Sequence, residues 1–385
     1  MRPRLARAAL ILACTGGLLA CADVTPAPAA TPAAATSGCA MRDLTSLQLS
    51  RLMGAGWNLG NTLEATGGET AWGNPPASQA LMDAVKAAGF KTVRIPASWK
   101  QHANADDVID PRWMARVAEV VDMARRSGLY VILNVHWDGG WLQPLRSNEW
   151  LADARLARFW TQIATRLRDH DDMLLFAGTN EVMVEGDYGT PKPEYVAVQN
   201  GFNQVFVDAV RATGGCNATR HLVVQAFNTN IDHAIAFAVL PKDPAANRLM
   251  MEVHYYDPYD FTINAADKAW QWGATATNPA ATQPCADETH VDAQFAKIKS
   301  RFVDRGVPVI LGEFGAMRRA EHPGSEVYAL AWDRYVAHSA WTHGAVPVYW
   351  DAGAPTENHS MGLFDRRTGR VVHPEVVDAL VRAVR

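Results

Sequence analysis

The sequence predicts a (β/α)8 barrel, an α/β fold that forms a single domain over residues 41–385. Short apolar or β-branched runs alternate with longer segments of helical period, which is the pattern of βαβ units in a parallel sheet. Eight such runs follow one another, and the chain has the length that a barrel with some long loops requires. A doubly wound sheet is the alternative fold.

The N-terminal segment predicts export rather than folded structure. Three arginines within the first seven residues precede an apolar stretch at residues 8–20, which resembles a signal peptide and is too short to span a membrane. Leu18-Leu19-Ala20-Cys21 resembles a bacterial lipobox, in which Cys21 is lipidated. We therefore expect residues 1–20 to be removed. The mature protein is then a lipoprotein of the cell envelope, at the outer membrane or cell surface, or a secreted protein cut near Cys21.

Residues 21–40 are rich in Ala, Pro and Thr, a composition that predicts a semi-rigid tether rather than a packed core. Cys39, Cys216 and Cys285 remain beyond the tether's first residue, and this odd number allows one disulfide and one free thiol in an oxidising compartment. The spacing does not choose the pair. No cysteine spacing typical of structural zinc occurs.

The charge balance argues against a nucleic-acid partner. The chain has 36 Lys and Arg against 40 Asp and Glu, a formal charge of -4, and no basic run forms a stripe that could neutralise phosphates. A neutral polymer fits this balance better. The 13 Trp residues agree with that interpretation, because an indole face is costly to expose unless it binds something.

The predicted strands alternate with predicted helices along the whole domain. One helix is expected at residues 113–127, where three valines share a face and Gly128 provides a stop, and another at 149–170, where apolar residues recur at helical spacing. The eight strands are expected at residues 52–58, 92–95, 130–135, 174–177, 221–225, 249–254, 307–311 and 346–350.

Polar or aromatic side chains stand at or just beyond the ends of most predicted strands, the face where barrel enzymes carry their chemistry. Because the strands are parallel, these side chains should meet around one opening. We therefore expect a functional site formed by Arg94, His136, Asn180, Glu181, His254, Tyr256, Glu313 and Trp350.

Two of these residues, Glu181 and Glu313, predict acetal hydrolysis. One carboxyl group can protonate the leaving oxygen while the other attacks the anomeric carbon. Taken alone, Glu181 is as readily explained as a carboxylate at a helix start. Glu313 directly follows the apolar run Val309-Ile310-Leu311-Gly312. A purely structural role is harder to assign to a carboxylate at the end of a buried strand. Retention of configuration would require carboxyl groups about 5 to 5.5 Å apart, and inversion about 6.5 Å or more.

The mechanism needs the two carboxyl groups to differ in pKa. Arg94 and the Tyr256 hydroxyl, if near Glu313, would favour its charged form as a nucleophile. Glu181 would need a less polar setting to stay protonated near neutral pH.

Each of the remaining polar residues could have a structural or a functional role. Asn180 could bind a sugar hydroxyl or the nucleophile, or could simply be a turn residue. His136 and His254 allow a metallohydrolase, but the chain has no His-x-His pair and no His-Glu-x-x-His helix. We therefore expect neither a metal nor another cofactor.

Several tryptophans could stack on sugar rings, although core packing is at least as good an explanation for any single one. Trp350 is the strongest candidate, since it ends a predicted strand at the functional face. The other candidates at the same face or in loops of the same polarity are Trp72, Trp99, Trp137, Trp141 and Trp272.

In their order along the chain, these residues resemble glycoside hydrolase family 5, the barrel family of retaining cellulases, mannanases and related β-glycanases. The resemblance covers nearly the whole chain after the tether. The matching segments are Gly56-Trp57-Asn58-Leu59-Gly60-Asn61-Thr62, Trp72-Gly73-Asn74-Pro75, Val93-Arg94-Ile95-Pro96, Asn134-Val135-His136, Asn180-Glu181, His254-Tyr255-Tyr256, Gly312-Glu313-Phe314 and Trp350.

The resemblance implies Glu181 as acid/base and Glu313 as nucleophile, with retention of configuration. It also implies a supporting shell of Arg94, His136, Asn180, His254, Tyr256 and Trp350, to which we add Asn58 and Trp137. Two positions depart from the family pattern: Val182 replaces the common Pro after the acid/base, and Trp137 follows the first His of its motif. The second departure bears on substrate identity.

The segment from Gly56 to Thr62 looks most like the endo-β-1,4-glucanase branch, so we expect a retaining endo-β-1,4-glucanase that binds β-glucan polysaccharides or oligosaccharides. A xyloglucanase or an endo-β-mannanase of the same family is the alternative, and a glycan-binding surface lipoprotein is the non-enzymatic one. We expect a monomer that needs no cofactor and reaches a membrane only through a lipid at Cys21.

Overall fold

The computed structural model describes residues 39–266 and 268–385, and in this part of the chain eight parallel strands close into a barrel in chain order. The closing pair joins the last strand to the first, with Gly56 opposite Val348. This closure confirms the predicted barrel and excludes the open sheet. The strands are β1 (Gly56–Asn58), β2 (Thr92–Ile95), β3 (Tyr130–Asn134), β4 (Leu174–Ala177), β5 (Leu222–Gln225), β6 (Leu249–His254), β7 (Val309–Glu313) and β8 (Ala345–Tyr349).

Helices surround the barrel, and both helices named from the sequence are present within a few residues of their predicted ends. None of the helices in the described ranges is long and apolar enough to cross a membrane. A short antiparallel pair, β9 (Phe364–Asp365) and β10 (Arg370–Val371), follows the barrel. The helices are α1 (Ser46–Met53), α2 (Gln79–Ala87), α3 (Pro111–Arg126), α4 (Glu149–Arg166), α5 (Pro193–Ala212), α6 (Ile231–Phe237), α7 (Tyr259–Thr262), α8 (Glu288–Arg301), α9 (Glu326–Thr342) and α10 (Pro374–Arg382).

The first predicted strand was placed too early. Residues 46–53 form α1, because Thr45 caps the helix with a reciprocal hydrogen-bond pair to Gln48. Gly54 then takes a positive φ of 54° and ends the helix, so the strand begins only at Gly56. The apolar Leu52 and Met53 belong to the helix rather than to the barrel wall.

Apolar residues fill two layers on either side of the barrel wall. The larger layer lies between the strands and the outer helices. The smaller one fills the barrel interior below the site, where Leu49 and Met53 of α1 pack against inward side chains such as Ile132, Val223 and Ile310. Helix α1 thus closes the end of the barrel opposite the strand carboxyl ends, so the polar site lies above a buried apolar layer.

A disulfide joins Cys39 to Cys216, in the turn that leads into β5. Among the cysteines that the structure describes, Cys285 is free and exposed, so the structure selects one of the pairings that the sequence left open. The predicted signal peptide, Cys21 and the tether up to residue 38 lie outside the described residues.

Candidate active site

The predicted site residues all lie at the carboxyl ends of the strands. Asn58, His254 and Glu313 are the last residues of β1, β6 and β7, and Arg94 is the third residue of β2. Glu313 therefore belongs to its strand, whereas the sequence placed it just after the strand. The others follow a strand within a few residues: His136 and Trp137 after β3, Asn180 and Glu181 after β4, Tyr256 after β6, and Trp350 after β8.

An irregularity between β6 and β7 places Glu313 beside His254. Val253 pairs with Leu311, but His254 pairs with Glu313, so Gly312 is the extra residue of a bulge. The carbonyl oxygen of Gly312 accepts a hydrogen bond from Asn58 Nδ2 at 2.8 Å. The bulge re-aims the last residue of β7 into the barrel mouth, where its side chain is 8% exposed.

Arg94 is fully buried and orients four groups of the site at once. Its Nη1 donates to Glu313 Oε1 at 2.9 Å and to Asn58 Oδ1 at 3.0 Å, and its Nη2 donates to Asn180 Oδ1 at 2.6 Å. Its Nε lies 2.9 Å from an oxygen of Glu252. A planar guanidinium with fixed donors is suited to this task, and it confirms the predicted contact between Arg94 and Glu313.

Tyr256 completes the surroundings of Glu313 as the sequence suggested. Its hydroxyl donates to Glu313 Oε2 at 3.3 Å, so both carboxylate oxygens have a donor. Burial, followed by the charges of Glu313 and Glu181, raises the pKa of Tyr256 well above its usual value. Tyr256 is therefore a neutral hydrogen-bond donor near neutral pH.

Glu181 has a strained backbone and an accessible side chain. Its φ is 46°, in the left-handed region that non-glycine residues rarely occupy, and such strain is typical of functional positions. The side chain is 38% exposed, and Oε1 accepts a hydrogen bond from His254 Nδ1 at 2.7 Å. The carboxyl group therefore stands between His254 and the open cleft.

The two carboxyl groups differ in pKa, but not in the direction that the sequence suggested. Burial raises the pKa of Glu313 above its ordinary value, and Glu181 and Glu252 add to the shift, although His254 and Arg94 oppose it. Enclosure also raises the pKa of Glu181, but the hydrogen bond and charge of His254 lower it by more. Glu181 therefore lacks the less polar setting that would keep it protonated, because an imidazole faces it directly.

Glu252 is a member of the site that the sequence analysis missed. It lies in β6 two residues before His254, so both side chains point into the barrel. The side chain is fully buried and contacts Arg94 and His254 Nε2, the latter at 3.2 Å. A signal existed: Glu252 interrupts an otherwise apolar strand, and a buried carboxylate needs a charged partner.

A model of cellulases of glycosyl hydrolase family 5 matches residues 58–355, which is most of the chain. The matched range contains every residue of the site described above. The chain belongs to glycoside hydrolase family 5. It is therefore a glycoside hydrolase, and the surface protein without enzymatic activity is excluded.

Relatives in family 5 share both sequence and fold with the chain. It is 43% identical over 364 residues to a xyloglucan-specific endo-β-1,4-glucanase of Bacteroides ovatus, which covers 89% of this chain and 71% of that enzyme. The Bacteroides ovatus family 5 xyloglucanase with a XXXG heptasaccharide matches at a TM-score of 0.85 and 43% identity, over 90% and 78% of the two chains. A broad-specificity endoglucanase of Bacteroides salanitronis matches at 0.85 and 42%, over 90% and 97%.

As in the sequence analysis, a metal is the alternative use of these family 5 residues. One ligand atom each of Glu181, His254 and Glu313 lies within 4.8 Å of the others. Both nitrogens of His254 already face carboxylate oxygens, however, and Arg94 places a fixed positive charge on Glu313. A protonated imidazole has no lone pair to offer a metal, so this donor set does not suit one.

His136 and Trp350 form a second wall of the family 5 cleft. Their rings are nearly parallel, with an interplanar angle of 14° and centroids 6.1 Å apart. His136 Nδ1 lies 3.0 Å from Asn134 Nδ2. Gly60 has no room for a Cβ because the Trp350 ring and a backbone carbonyl lie against it, so the loop after β1 supports the indole from behind.

Three cavities open at the end of the barrel that carries the site, and two of them border Glu181. One of about 560 Å³ lies toward β1 and β8 and includes Trp72, whose side chain is half exposed. A second, of about 210 Å³, contains Glu181 and Trp137. The third, of about 300 Å³, lies toward β5 and β6 and also contains Glu181, with Tyr188 on its wall. Glu181 is thus shared by two cavities, whereas Glu313 lies deeper.

Trp99 and Trp272 are structural, whereas Trp141 is half-buried and lines the same cavity as Glu181 and Trp137. Trp99 is fully buried and donates to the Asn134 carbonyl, and Trp272 is buried and donates to that of Ala286. Trp141 packs edge-on against Phe159. Trp99 and Trp272 satisfy their indole N–H inside the protein, so neither offers a sugar-stacking face.

Proposed function

We propose that the protein is a retaining endo-β-1,4-glucanase in which Glu313 is the nucleophile and Glu181 the acid/base. The observation that carries this proposal is the proximity of the two carboxyl groups, whose nearest oxygens lie within 4.8 Å of each other. Such a short gap leaves no space for a water between carboxylate and sugar, which inversion requires at a separation of about 6.5 Å or more. The gap therefore supports retention.

The surroundings of each carboxyl group support its role. Glu313 is deeply placed and held by Arg94 and Tyr256, so one oxygen can approach the anomeric carbon in a fixed direction. Glu181 borders two cavities and is more exposed, so it can reach the oxygen of a departing sugar. We also expect a monomer, which light scattering can check.

The reaction then proceeds in two balanced steps. Glu313 attacks the anomeric carbon, the glycosidic C–O bond breaks, and Glu181 gives its proton to the leaving oxygen. A water then attacks the same carbon, Glu181 takes the proton of that water, and the ester bond to Glu313 breaks. Asn180 is oriented by Arg94 at Oδ1, and its Nδ2 lies 3.4 Å from His136 Nε2, so its second N–H is available for a sugar hydroxyl near the reacting carbon.

Xyloglucan is the second candidate substrate, and the cavities favour it. An unbranched glucan needs only the cleft, whereas branches on the backbone need space at its sides. The cavities of about 560 and 210 Å³ provide such space, and they are lined by the exposed Trp72 and Trp137. The departure at Trp137 therefore lies where a branch would be recognised. The similar Bacteroides ovatus protein named above is a xyloglucanase, both in the sequence match and in the structure match.

A panel of polysaccharides tests the proposed function. We expect reducing-sugar release from carboxymethylcellulose, mixed-linkage β-glucan and xyloglucan, with oligosaccharides rather than single sugars as early products. Galactomannan and xylan should be cleaved far more slowly. Glu313→Gln protein from the same preparation serves as the blank for contaminating activity. Preferential cleavage of mannan would contradict the glucanase assignment.

We also propose that the protein is exported and anchored through a lipid on Cys21, as its lipobox-like sequence suggests. In a bacterial host, the wild-type protein should partition into the detergent phase of Triton X-114. The Cys21→Ala variant should move to the aqueous phase or fail to be processed. Recovery of the processed wild-type protein in the aqueous phase would show that the leader is an ordinary signal peptide.

A further inference from the structure

Both ring nitrogens of His254 face carboxylate oxygens. Nδ1 lies 2.7 Å from Glu181 Oε1, and Nε2 lies 3.2 Å from Glu252 Oε1. An ionised carboxylate only accepts hydrogen bonds, and a neutral imidazole has a single N–H. One additional proton must therefore be present. It lies either on the ring, which is then an imidazolium, or on one of the two carboxyl groups.

Glu252 is built into the barrel so that it keeps its charge. Its side chain has no exposed surface, and the Arg94 guanidinium lies 2.9 Å away. Arg94 and then the hydrogen bond from His254 outweigh the cost of burial and lower the pKa of Glu252. A Cβ on Gly312 would overlap the Glu252 carboxylate, so the bulge that aims Glu313 also makes room for this group.

We propose that Glu252, His254 and Glu181 form a proton relay, in which the His254–Glu181 hydrogen bond stores the proton that Glu181 gives to the leaving group. This rests on the proposed function of Glu181 as acid/base. Glu252 is a positioning residue, since it touches neither substrate nor the reacting atoms. Its role is to hold Nε2–H and to balance the imidazolium charge from the side away from the cleft.

The proton balance of the relay is simple. In the resting site, the imidazolium of His254 donates Nδ1–H to the Glu181 carboxylate. When a glycosidic oxygen arrives, the proton crosses this hydrogen bond, which leaves a neutral ring and a neutral carboxyl group. The terminal torsion of a Glu side chain is soft, so the carboxyl can turn its O–H toward the leaving oxygen. In the second step, the proton taken from water returns along the same bond.

The charged groups around His254 favour a protonated ring, as the relay requires. Burial lowers the pKa of His254, but Glu313, Glu181 and Glu252 together raise it to about 9. The ring is therefore protonated at neutral pH and loses its proton only as the pH rises through about 9. The titratable and charged groups that face the ring, directly or across the site, are Glu181, Glu252, Glu313, Arg94, Tyr256 and His136.

The test is the pH profile of kcat/KM on an aryl β-cellobioside with a poor leaving group. In Glu252→Gln, the alkaline limb should move to lower pH by about one to three units, which is the shift that a neighbouring opposite charge causes. At pH 8, activity on this substrate should fall about tenfold for each unit by which the pH exceeds the new limb. Activity on the dinitrophenyl analogue should change little, because its leaving group needs no proton.

Two control variants separate the relay from a structural effect. Glu252→Asp keeps the charge and should restore much of the alkaline limb. Asp243→Asn breaks another buried pair, with Arg211 at 2.8 Å on the outside of the barrel, and should leave both limbs in place. A uniform loss of rate in Glu252→Gln with unmoved limbs would overturn the relay and leave Glu252 as a purely structural partner of Arg94.

A second measurement works even if Glu252→Gln does not fold. The ring of His254 can be titrated by NMR in the wild-type protein labelled at histidine, with His254→Gln used to assign the signal. A midpoint well above 6.5 supports the relay, and a midpoint at or below 6.5 overturns it. This titration needs no substrate, so the relay and the glucanase assignment can fail independently.

Discussion

Glu313→Gln is expected to abolish hydrolysis of β-glucans while the barrel stays folded. The amide cannot form the ester intermediate, and it removes the negative charge that Arg94 and Tyr256 hold in place. Loss of a covalent nucleophile costs on the order of 10⁴- to 10⁶-fold in kcat. Gln has nearly the shape of Glu, and its oxygen can still accept from Arg94, so thermal unfolding should change little.

The measurement is reducing-sugar release from carboxymethylcellulose and β-glucan, with circular dichroism as the check on folding. Glu119→Gln, a change on the exposed side of α3, is the matched control and should be as active as the wild type. A 2-fluoro-cellobioside should also add its mass to the wild-type peptide that contains Glu313 and leave the variant unlabelled. Hydrolysis at the wild-type rate in Glu313→Gln would defeat the assignment.

Glu181→Gln is expected to show a selective defect. Without a proton donor, kcat/KM on polysaccharides should fall about 10²- to 10⁴-fold, the usual contribution of general acid catalysis. A dinitrophenyl cellobioside should lose little, because its leaving group departs as an anion. The second step lacks its base, so the glycosyl-enzyme should accumulate after a burst of dinitrophenol.

Added azide separates this defect from a general loss of structure. As a nucleophile that needs no deprotonation, azide should restore turnover of the dinitrophenyl substrate by Glu181→Gln and yield a glycosyl azide of the β configuration. An α product would indicate inversion. Equal losses on both substrates would show that Glu181 acts in binding rather than as the acid/base.

The barrel could be predicted because its signal is repeated and local. Each apolar run is short and is followed by a helical segment, and eight such units leave few topologies open. The misplaced first strand shows the limit of this approach. Leu52 and Met53 are as apolar as a strand, and only the capping pair of Thr45 with Gln48 identifies the helix that contains them.

The sequence predicts which residues form the site, but it does not predict the pKa shifts of the carboxyl groups. Strand ends converge in a barrel, so Arg94, Tyr256 and Glu313 could be placed together from their positions alone. The pKa of Glu181 depends on which side chain faces it at 2.7 Å, and the sequence does not show that this is His254. Glu252 is not among the predicted residues because it lies inside a strand rather than at a strand end.

The disulfide between Cys39 and Cys216 determines where a pulling force would enter the domain. It links residue 39 to the turn before β5, at the end of the barrel opposite the cleft. A load on the N-terminal segment would therefore pass through a covalent bond into the turn before β5, before it reached the hydrogen bonds of α1. A chain held at that end would leave its cleft free for long polymers.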